Sequence, residues 1–488
     1  MTPGDAAVRE ARQLIGARRP ALGADPLEIR DPGNGDLVGL GARGSADDVA
    51  AAVAAARAAQ PAWAATPLGA RGELLRRAAE MLAAQRGAWA RLITREMGKP
   101  LRESLAECDR AVAIVRYYAA EAQRPFGAQY ASQETPAWIF TRREPVGVVG
   151  VIAPWNHPGA IPTWKSVPAL LYGNAVVLKL AEQAPLSGLV LVDTLREAGL
   201  PDGVVNVVLG VGETVGAALA AHPGLDVISF TGSTAVGERI RAAAGVSGAR
   251  AQLELGGSNA AIVRADADVE LAVGALHAGA FATSGQNCTA TRRVYVARER
   301  YDEVAERLVA RARAMPVGHG LDDGVELGPL IDRAARDRVL AACRRAEAAG
   351  TVLLAAEEQR DGRLAAGAFV GPALVGDLPH DAELARDEVF GPALALWPVD
   401  SDEQALALAN RSRYGLSASI FTRDLDVAKQ FVERIEAGVV RVNQKTSGVE
   451  PHVPFGGWKA SGHGPREQGR APLELLTREK TVYIHPSA

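Results

Sequence analysis

Short runs of aliphatic and β-branched residues recur along the chain from Val146 onward, and amphipathic stretches separate them. Runs at 148–153, 175–178, 204–209, 227–230 and 260–263 predict strands. Segments at 186–198, 215–221 and 235–244 carry helical spacing between them. A second set follows residue 288, with strands expected at 293–297, 351–354, 393–397, 419–421 and 439–442. Helices are expected among these at 301–314, 333–348 and 424–436. Alternation of this kind is the rhythm of βαβ units, so the fold class is α/β with two parallel-sheet domains. Upstream, the Ala-rich stretch 49–59 predicts a helix, with Ser45 as its cap and Asp47 and Asp48 near its positive end.

Two segments break the pattern. Residues 129–141 are extended in character, and 480–485 read as a terminal strand that needs a sheet to join. Together they suggest a small β arm that pairs with another subunit, or an edge strand within the chain.

A chain of 488 residues is too long for one hydrophobic core, which agrees with two or more domains. A net charge of −3 gives no support to nucleic-acid binding or a polybasic membrane anchor. No uncharged apolar run reaches about 18 residues, so no membrane span is expected. The opening Met1–Asp5 and the mixed charges after it lack a secretory apolar stretch. Cys108, Cys288 and Cys343 lie far apart, with neither metal-type spacing nor a disulfide framework. A reducing cytosol is their natural setting, and no metal is expected.

Candidate chemistry gathers at a few places. Cys288 sits among small and polar neighbours in Thr-Ser-Gly-Gln-Asn-Cys-Thr-Ala, where Gly285 lets the backbone approach. A buried small hydrophobe is the ordinary fate of a cysteine; attack at neutral pH needs a lowered thiol pKa or a nearby base. Glu254 lies in an apolar strand-like run before two glycines, where burial would raise its pKa and make it a base. An edge glutamate is the plainer alternative. Asn156, between Pro154 and Pro158, is either a turn residue or a rigid amide donor for an oxyanion. Residues 226–237 read strand, glycine turn, helix start, which suits a pyrophosphate. The nearby Gly210-Val-Gly212-Glu-Thr-Val-Gly216 is one residue too long for a dinucleotide fingerprint. Asn287-Cys-Thr matches a glycosylation pattern that has no meaning without secretion.

In order, Pro154-Trp-Asn-His-Pro, Phe230-Thr-Gly-Ser-Thr, Glu254-Leu-Gly-Gly, Gly285-Gln-Asn-Cys, Glu388-Val-Phe-Gly-Pro and Pro454-Phe-Gly-Gly resemble the aldehyde dehydrogenase superfamily from about Ser45 to the end. The resemblance implies two parallel-sheet domains with a small β oligomerisation arm. Residues 1–122 and 142–253 would bind the dinucleotide, 254–460 would form the catalytic domain, and 123–141 with 461–488 the arm and C-terminal strand. It implies Cys288 as nucleophile, Glu254 as general base, Asn156 as oxyanion donor with the Cys288 amide, and Lys165 and Glu467 as a proton relay. Lys179 and Glu182 would hold the adenosine ribose, Ser233 the pyrophosphate and Glu388 the nicotinamide ribose, with Phe390 packed near it. Further cofactor contacts are implied for Ile152, Pro154, Trp155, Gly212, Phe230, Gly232 and Leu255. His157, Trp164, Asn287 and Phe455 would face the substrate.

The implied reaction is NAD(P)-dependent oxidation of an aldehyde to an acid through a thiohemiacetal and a thioester. NAD is favoured over NADP, because Glu182 accepts ribose hydroxyls and repels a 2′-phosphate. A homodimer or homotetramer is implied. A CoA-acylating dehydrogenase is the first rival, and Glu254 argues against it; an inactive homologue is the second, and the intact Cys288, Glu254 and Asn156 argue against that. Departures from the family pattern are His157 for phenylalanine, Leu180 for proline, Ala235 for glutamate and Ser258 for lysine. The stretch 446–457 and Gly464-Pro-Arg-Glu-Gln-Gly are similar to bacterial α-ketoglutaric semialdehyde dehydrogenases, which oxidise 2,5-dioxopentanoate.

Overall fold

The computed structural model describes residues 8–124, 126–133, 136–358 and 362–485. The opening Met1–Asp5 lies outside these residues, as do 134–135 of the extended segment and small parts of each expected domain.

The first sheet has six strands in the order Gly462–His463, Arg250–Glu254, Val227–Thr231, Val148–Ile152, Ala175–Lys179 and Val205–Val208. All pairs are parallel except that of Gly462–His463. Its central strands are buried on both faces, which is why they read as unbroken apolar runs. Connections leave Val148–Ile152 in both directions, so the strand order reverses beside it. Crevices at such a reversal are where open α/β sheets bind ligands.

Four helices frame this sheet: Ala46–Ala65, Leu68–Ala84, Arg86–Met97 and Leu101–Glu121. Ser45 and Asp48 close a reciprocal capping box on the first of them. That helix runs beyond the expected 49–59, and Trp63 continues its buried face past Pro61. At 215–221 the expected helix is split. A wide π-type turn, Gly212–Gly216, precedes a short helix, Ala217–Ala221.

The second sheet has seven strands: Thr351–Leu354, Ala373–Gly376, Ala393–Val399, Thr291–Ala297, Asn259–Val263, Ser417–Phe421 and Val439–Val442. Only Thr351–Leu354 is antiparallel. The chain crosses from the first sheet to the second through residues 255–258, directly after Glu254. The site described below sits at this crossing.

Thr477–Ile484 pairs antiparallel with all of Trp138–Pro145, and Gln129–Tyr130 completes a three-stranded sheet. The two arm segments therefore meet within one chain. The arm is narrower than 123–141 with 461–488 at its C-terminal side. Gly462–His463 belongs to the first sheet, and the helix Pro472–Leu476 packs on the helix Ala160–Leu171. Trp138, Tyr130, Tyr483 and Ile484 remain exposed on the arm. No helix among the described residues is long and apolar enough to cross a membrane.

Candidate active site

Cys288 follows a short loop of strained backbone. Thr283, Ser284 and Gly285 have φ of 56°, 54° and 68°, three consecutive left-handed residues. A Cβ on Gly285 would lie 2.1 Å from the Gly391 carbonyl oxygen, so only glycine fits there. Asn259 holds the far side of the loop, its Nδ2 donating to the Cys288 and Ala290 carbonyls at 2.8 Å each. Glu103 accepts from the Thr283 amide, and the Gln286 Oε1 accepts from the Ile331 amide. The result is a largely buried cysteine on a fixed backbone, its Sγ 3.8 Å from Asn287 Oδ1. Burial, then the charges of Glu388 and Glu254, push its thiol pKa up. The resting group is therefore a thiol, and attack requires a base.

Asn156 is buried, with Nδ2 donating to the Gln286 carbonyl at 3.1 Å. A carboxamide has two N–H donors, so one remains for a developing oxyanion. Its backbone carbonyl accepts from Lys99 Nζ at 2.9 Å. Lys99 forms an ion pair with Glu107, and both side chains are only 1% exposed. Glu107 Oε1 also accepts from the Gly159 and Ala160 amides. Burial alone would raise the Glu107 pKa, but Lys99 and His157 hold it well below the usual range. His157 lies 3.2 Å from Lys99 Nζ and 3.3 Å from Glu107 Oε2. Burial and the Lys99 charge push its pKa down to about 4, so it is a neutral imidazole at pH 7.

Glu254 ends its strand beside Thr231 and is buried. Oε1 accepts from Gln252 Nε2 at 3.1 Å, and Oε2 has no partner. Burial, then repulsion from Glu467, raises its pKa well above the ordinary carboxylate value, against the pull of Lys165. Lys165 is ion-paired with Glu467 and bonds to Ser229 and Gln252 at 2.9 and 3.2 Å. Gln252 thus links the two candidate relay residues to Glu254.

A single cavity of about 310 Å³ is lined by Pro154, Trp155, Asn156, His157, Trp164, Gly232, Ser233, Glu254, Leu255, Asn287, Cys288, Glu388, Phe390 and Phe455, all expected site residues. Arg110, Ile161, Thr231, Gly256, Thr289, Arg338, Val389, Gly448 and Val449 complete its lining. The remaining candidates lie outside it. Ile152, Lys179 and Phe230 are register neighbours at the C-terminal ends of three adjacent strands. Glu182 follows on the loop beyond, 2.6 Å from Lys179, and Gly212 opens the π-type turn. Lys165 and Glu467 stand behind Glu254.

These residues fit a dinucleotide. The 14-residue helix Thr234–Ser247 starts from Ser233 with no acid in its first turn, so nothing opposes a pyrophosphate at its positive end. The Thr231 and Thr234 hydroxyls beside it are buried without partners. At the other end, Gly257 N–H donates to Glu388 at 3.1 Å, and burial raises the Glu388 pKa to about 7. A Cβ on Gly256 would lie 2.2 Å from Glu388 Oε2, so glycine leaves that carboxyl its place. Phe390, at φ 55°, packs edge-on to Trp155 with ring centroids 5.5 Å apart. No cluster of three metal-ligating side chains occurs among the described residues.

Several supporting residues were not legible as such in the sequence: Lys99, Glu107, Gln252, Asn259, Gln286 and Arg292. Arg292, buried in a strand, donates to the Gly285 and Gly391 carbonyls and so ties the cysteine loop to the Glu388 loop. One signal existed. Glu107 falls on the i, i+3, i+4 apolar stripe of Leu101–Glu121, between Ser104 and Ala111, where a free charge does not belong.

A two-sheet α/β fold, a cysteine on a rigid loop, a buried amide and a buried carboxyl on one cleft define a dehydrogenase of the covalent, thiol-dependent class. Residues 21–482 match the aldehyde dehydrogenase family, and the chain belongs to it. It is 41% identical over 464 residues to the alpha-ketoglutaric semialdehyde dehydrogenase of Bacillus subtilis (strain 168), covering 95% of each chain. Among solved structures it is similar to the NAD+ complex of the aldehyde dehydrogenase from Bacillus cereus, at 34% identity and a TM-score of 0.95 over 100% of this chain and 99% of that one. It is also similar to an E. coli NADP-dependent enzyme, at 34% identity and a TM-score of 0.93 over 98% of both chains. The protein is an NAD(P)-dependent aldehyde dehydrogenase.

Proposed function

We propose that Cys288, Asn156 and Glu254 carry the oxidation, and that the substrate is an acidic semialdehyde such as 2,5-dioxopentanoate. The observation that supports this most is the convergence of all three, with Glu388, on one cavity. The Cys288 sulfur, after losing its proton to Glu254, adds to the aldehyde carbon. The free N–H of Asn156 and the Cys288 amide hold the oxyanion, and one such donor contributes about 3–4 kcal/mol. Bound nicotinamide supplies the hydride acceptor, which leaves a thioester on Cys288. Glu254 Oε2, free of partners, then takes a proton from water as that water attacks the thioester carbon. The carbon–sulfur bond breaks, the acid leaves, and sulfur regains a proton. The proton taken from Cys288 leaves Glu254 for solvent before the second transfer, and Gln252, backed by the Lys165–Glu467 pair, holds the carboxyl in place by donating to Oε1.

The acidic substrate rests on the relative named above and on the 446–457 wording. Glu182 supports NAD as the preferred cofactor. Its carboxylate is partly desolvated beside Lys179, where it can accept two ribose hydroxyls but meets a 2′-phosphate with like charge. We place the enzyme in a reducing cytosol, in keeping with three free thiols. The exposed aromatic arm supports a homodimer or homotetramer.

The test is kcat/KM for 2,5-dioxopentanoate, succinic semialdehyde, benzaldehyde and acetaldehyde with both cofactors. The semialdehydes with NAD are expected to rank first, and a clear preference for benzaldehyde or acetaldehyde overturns the substrate assignment. Glu182→Ala is expected to raise the NADP-to-NAD ratio of kcat/KM by about tenfold. An unchanged ratio places cofactor discrimination elsewhere.

A further inference from the structure

The core buries three arginines, and each bonds to backbone carbonyls. Arg71 reaches those of Trp63, Ala64, Thr66 and Leu171. Arg292 reaches those of Gly285 and Gly391, and Arg293 those of Ser258, Leu408 and Ala409. Arg110 differs. It is half-buried on the helix Leu101–Glu121, one turn beyond Glu107, and no described residue forms a hydrogen bond or ion pair with it. Burial lowers its pKa, against the pull of Glu107. Glu107 is already committed to Lys99, Gly159 and Ala160.

Its position gives that unpaired charge a use. Arg110 lines the cavity of Cys288 and also a wider outer chamber framed by Glu270, Arg441, Lys445 and Glu450. Gly448 and Val449 are shared in the same way, so Arg110 stands where the two spaces meet. The other cation of the inner cavity, Arg338, is exposed, while Ile161, Trp164, Thr289, Val449 and Phe455 are uncharged and His157 is neutral. The two carboxyls of the inner cavity, Glu254 and Glu388, are those assigned above to the base and the ribose.

We propose that Arg110 is a specificity-determining residue that binds the remote carboxylate of an aldehyde acid whose carbonyl carbon lies at Cys288. This rests on the acidic-semialdehyde reading and names the group that would enforce it. A guanidinium offers a planar fork of N–H donors that matches a carboxylate bidentately. Partial burial strengthens that contact relative to water. A neutral aldehyde of equal length leaves the cation desolvated and unpaired, so discrimination comes from the penalty as well as the bond.

The experiment compares wild type, Arg110→Met and Arg110→Lys with 2,5-dioxopentanoate and pentanal at saturating NAD. In Arg110→Met the acid-to-neutral ratio of kcat/KM is expected to fall about 10- to 100-fold, mainly through KM for the acid, because the contact is made equally in ground and transition states. Arg110→Lys is expected to fall between, keeping the charge and losing the fork. Rising ionic strength should erode the wild-type preference more than that of Arg110→Met. NAD binding and Tm establish that each variant is folded. A wild-type preference for the acid that survives intact in folded Arg110→Met overturns the role of Arg110 and leaves the substrate reading standing. If that variant does not fold, an unchanged ratio in Arg110→Lys overturns it instead. A wild type with no preference for the acid overturns both.

Discussion

Cys288→Ala is expected to lower aldehyde oxidation by at least about 10⁴-fold while NAD binding, followed by fluorescence quenching, stays close to wild type. The size of the loss follows from the route. Without sulfur there is no covalent adduct, and hydride would have to leave an aldehyde hydrate that the site is not built to hold. No other thiol can stand in. Cys108 and Cys343 are buried in the cores, and burial pushes the Cys343 pKa up to about 12. Cofactor binding is spared because none of the groups proposed to hold the dinucleotide is altered. Turnover matching wild type in this variant would show that the nucleophile is elsewhere.

Glu254→Gln is the second large effect, and it separates the two halves of the reaction. The substitution keeps shape and removes the base, so the thioester forms and then waits. A pre-steady-state burst of NADH is expected, followed by a steady-state rate lowered by about 10²–10⁴-fold. The burst itself should be slower than in wild type, because the Cys288 thiol is raised by burial and loses the base proposed to take its proton. The pH profile gives an independent reading. The base must be a carboxylate to accept a proton, and burial and Glu467 hold its pKa above the ordinary value. Wild-type deacylation should therefore decline as pH falls through that raised pKa, and the glutamine variant should lack this limb. A steady-state rate equal to wild type would remove Glu254 from the role of base.

Positions that carry the fold's repeating rhythm were readable from local pattern. The run at 439–442 coincides with the observed strand Val439–Val442, because its three β-branched valines favour a pleated, half-buried edge. Segments whose identity depends on distant partners were not. The strand Ala373–Gly376 is only four residues long and owes its existence to Ala393–Val399 beside it. The helix Ala160–Leu171 is buried along its whole length and contains two prolines, so it shows neither an amphipathic period nor a clean composition. The arm segments at 129–141 and 480–485 were extended by pattern, but their pairing partner was open until Trp138–Pro145 and Thr477–Ile484 were seen in register.

The sequence by itself determined the class of the molecule and the identities of its reactive groups. Repeated apolar runs define the sheets, and Cys288, Glu254 and Asn156 each stand in a motif whose wording survives translation into chemistry. Only the tertiary structure decided what state those groups are in. The unpaired Oε2 of Glu254, the neutral His157, the Lys99–Glu107 pair beneath Asn156 and the unpartnered Arg110 all arise from segments far apart in the chain. Burial and field are sums over neighbours in space, and a linear order of residues does not contain those neighbours until the chain has folded.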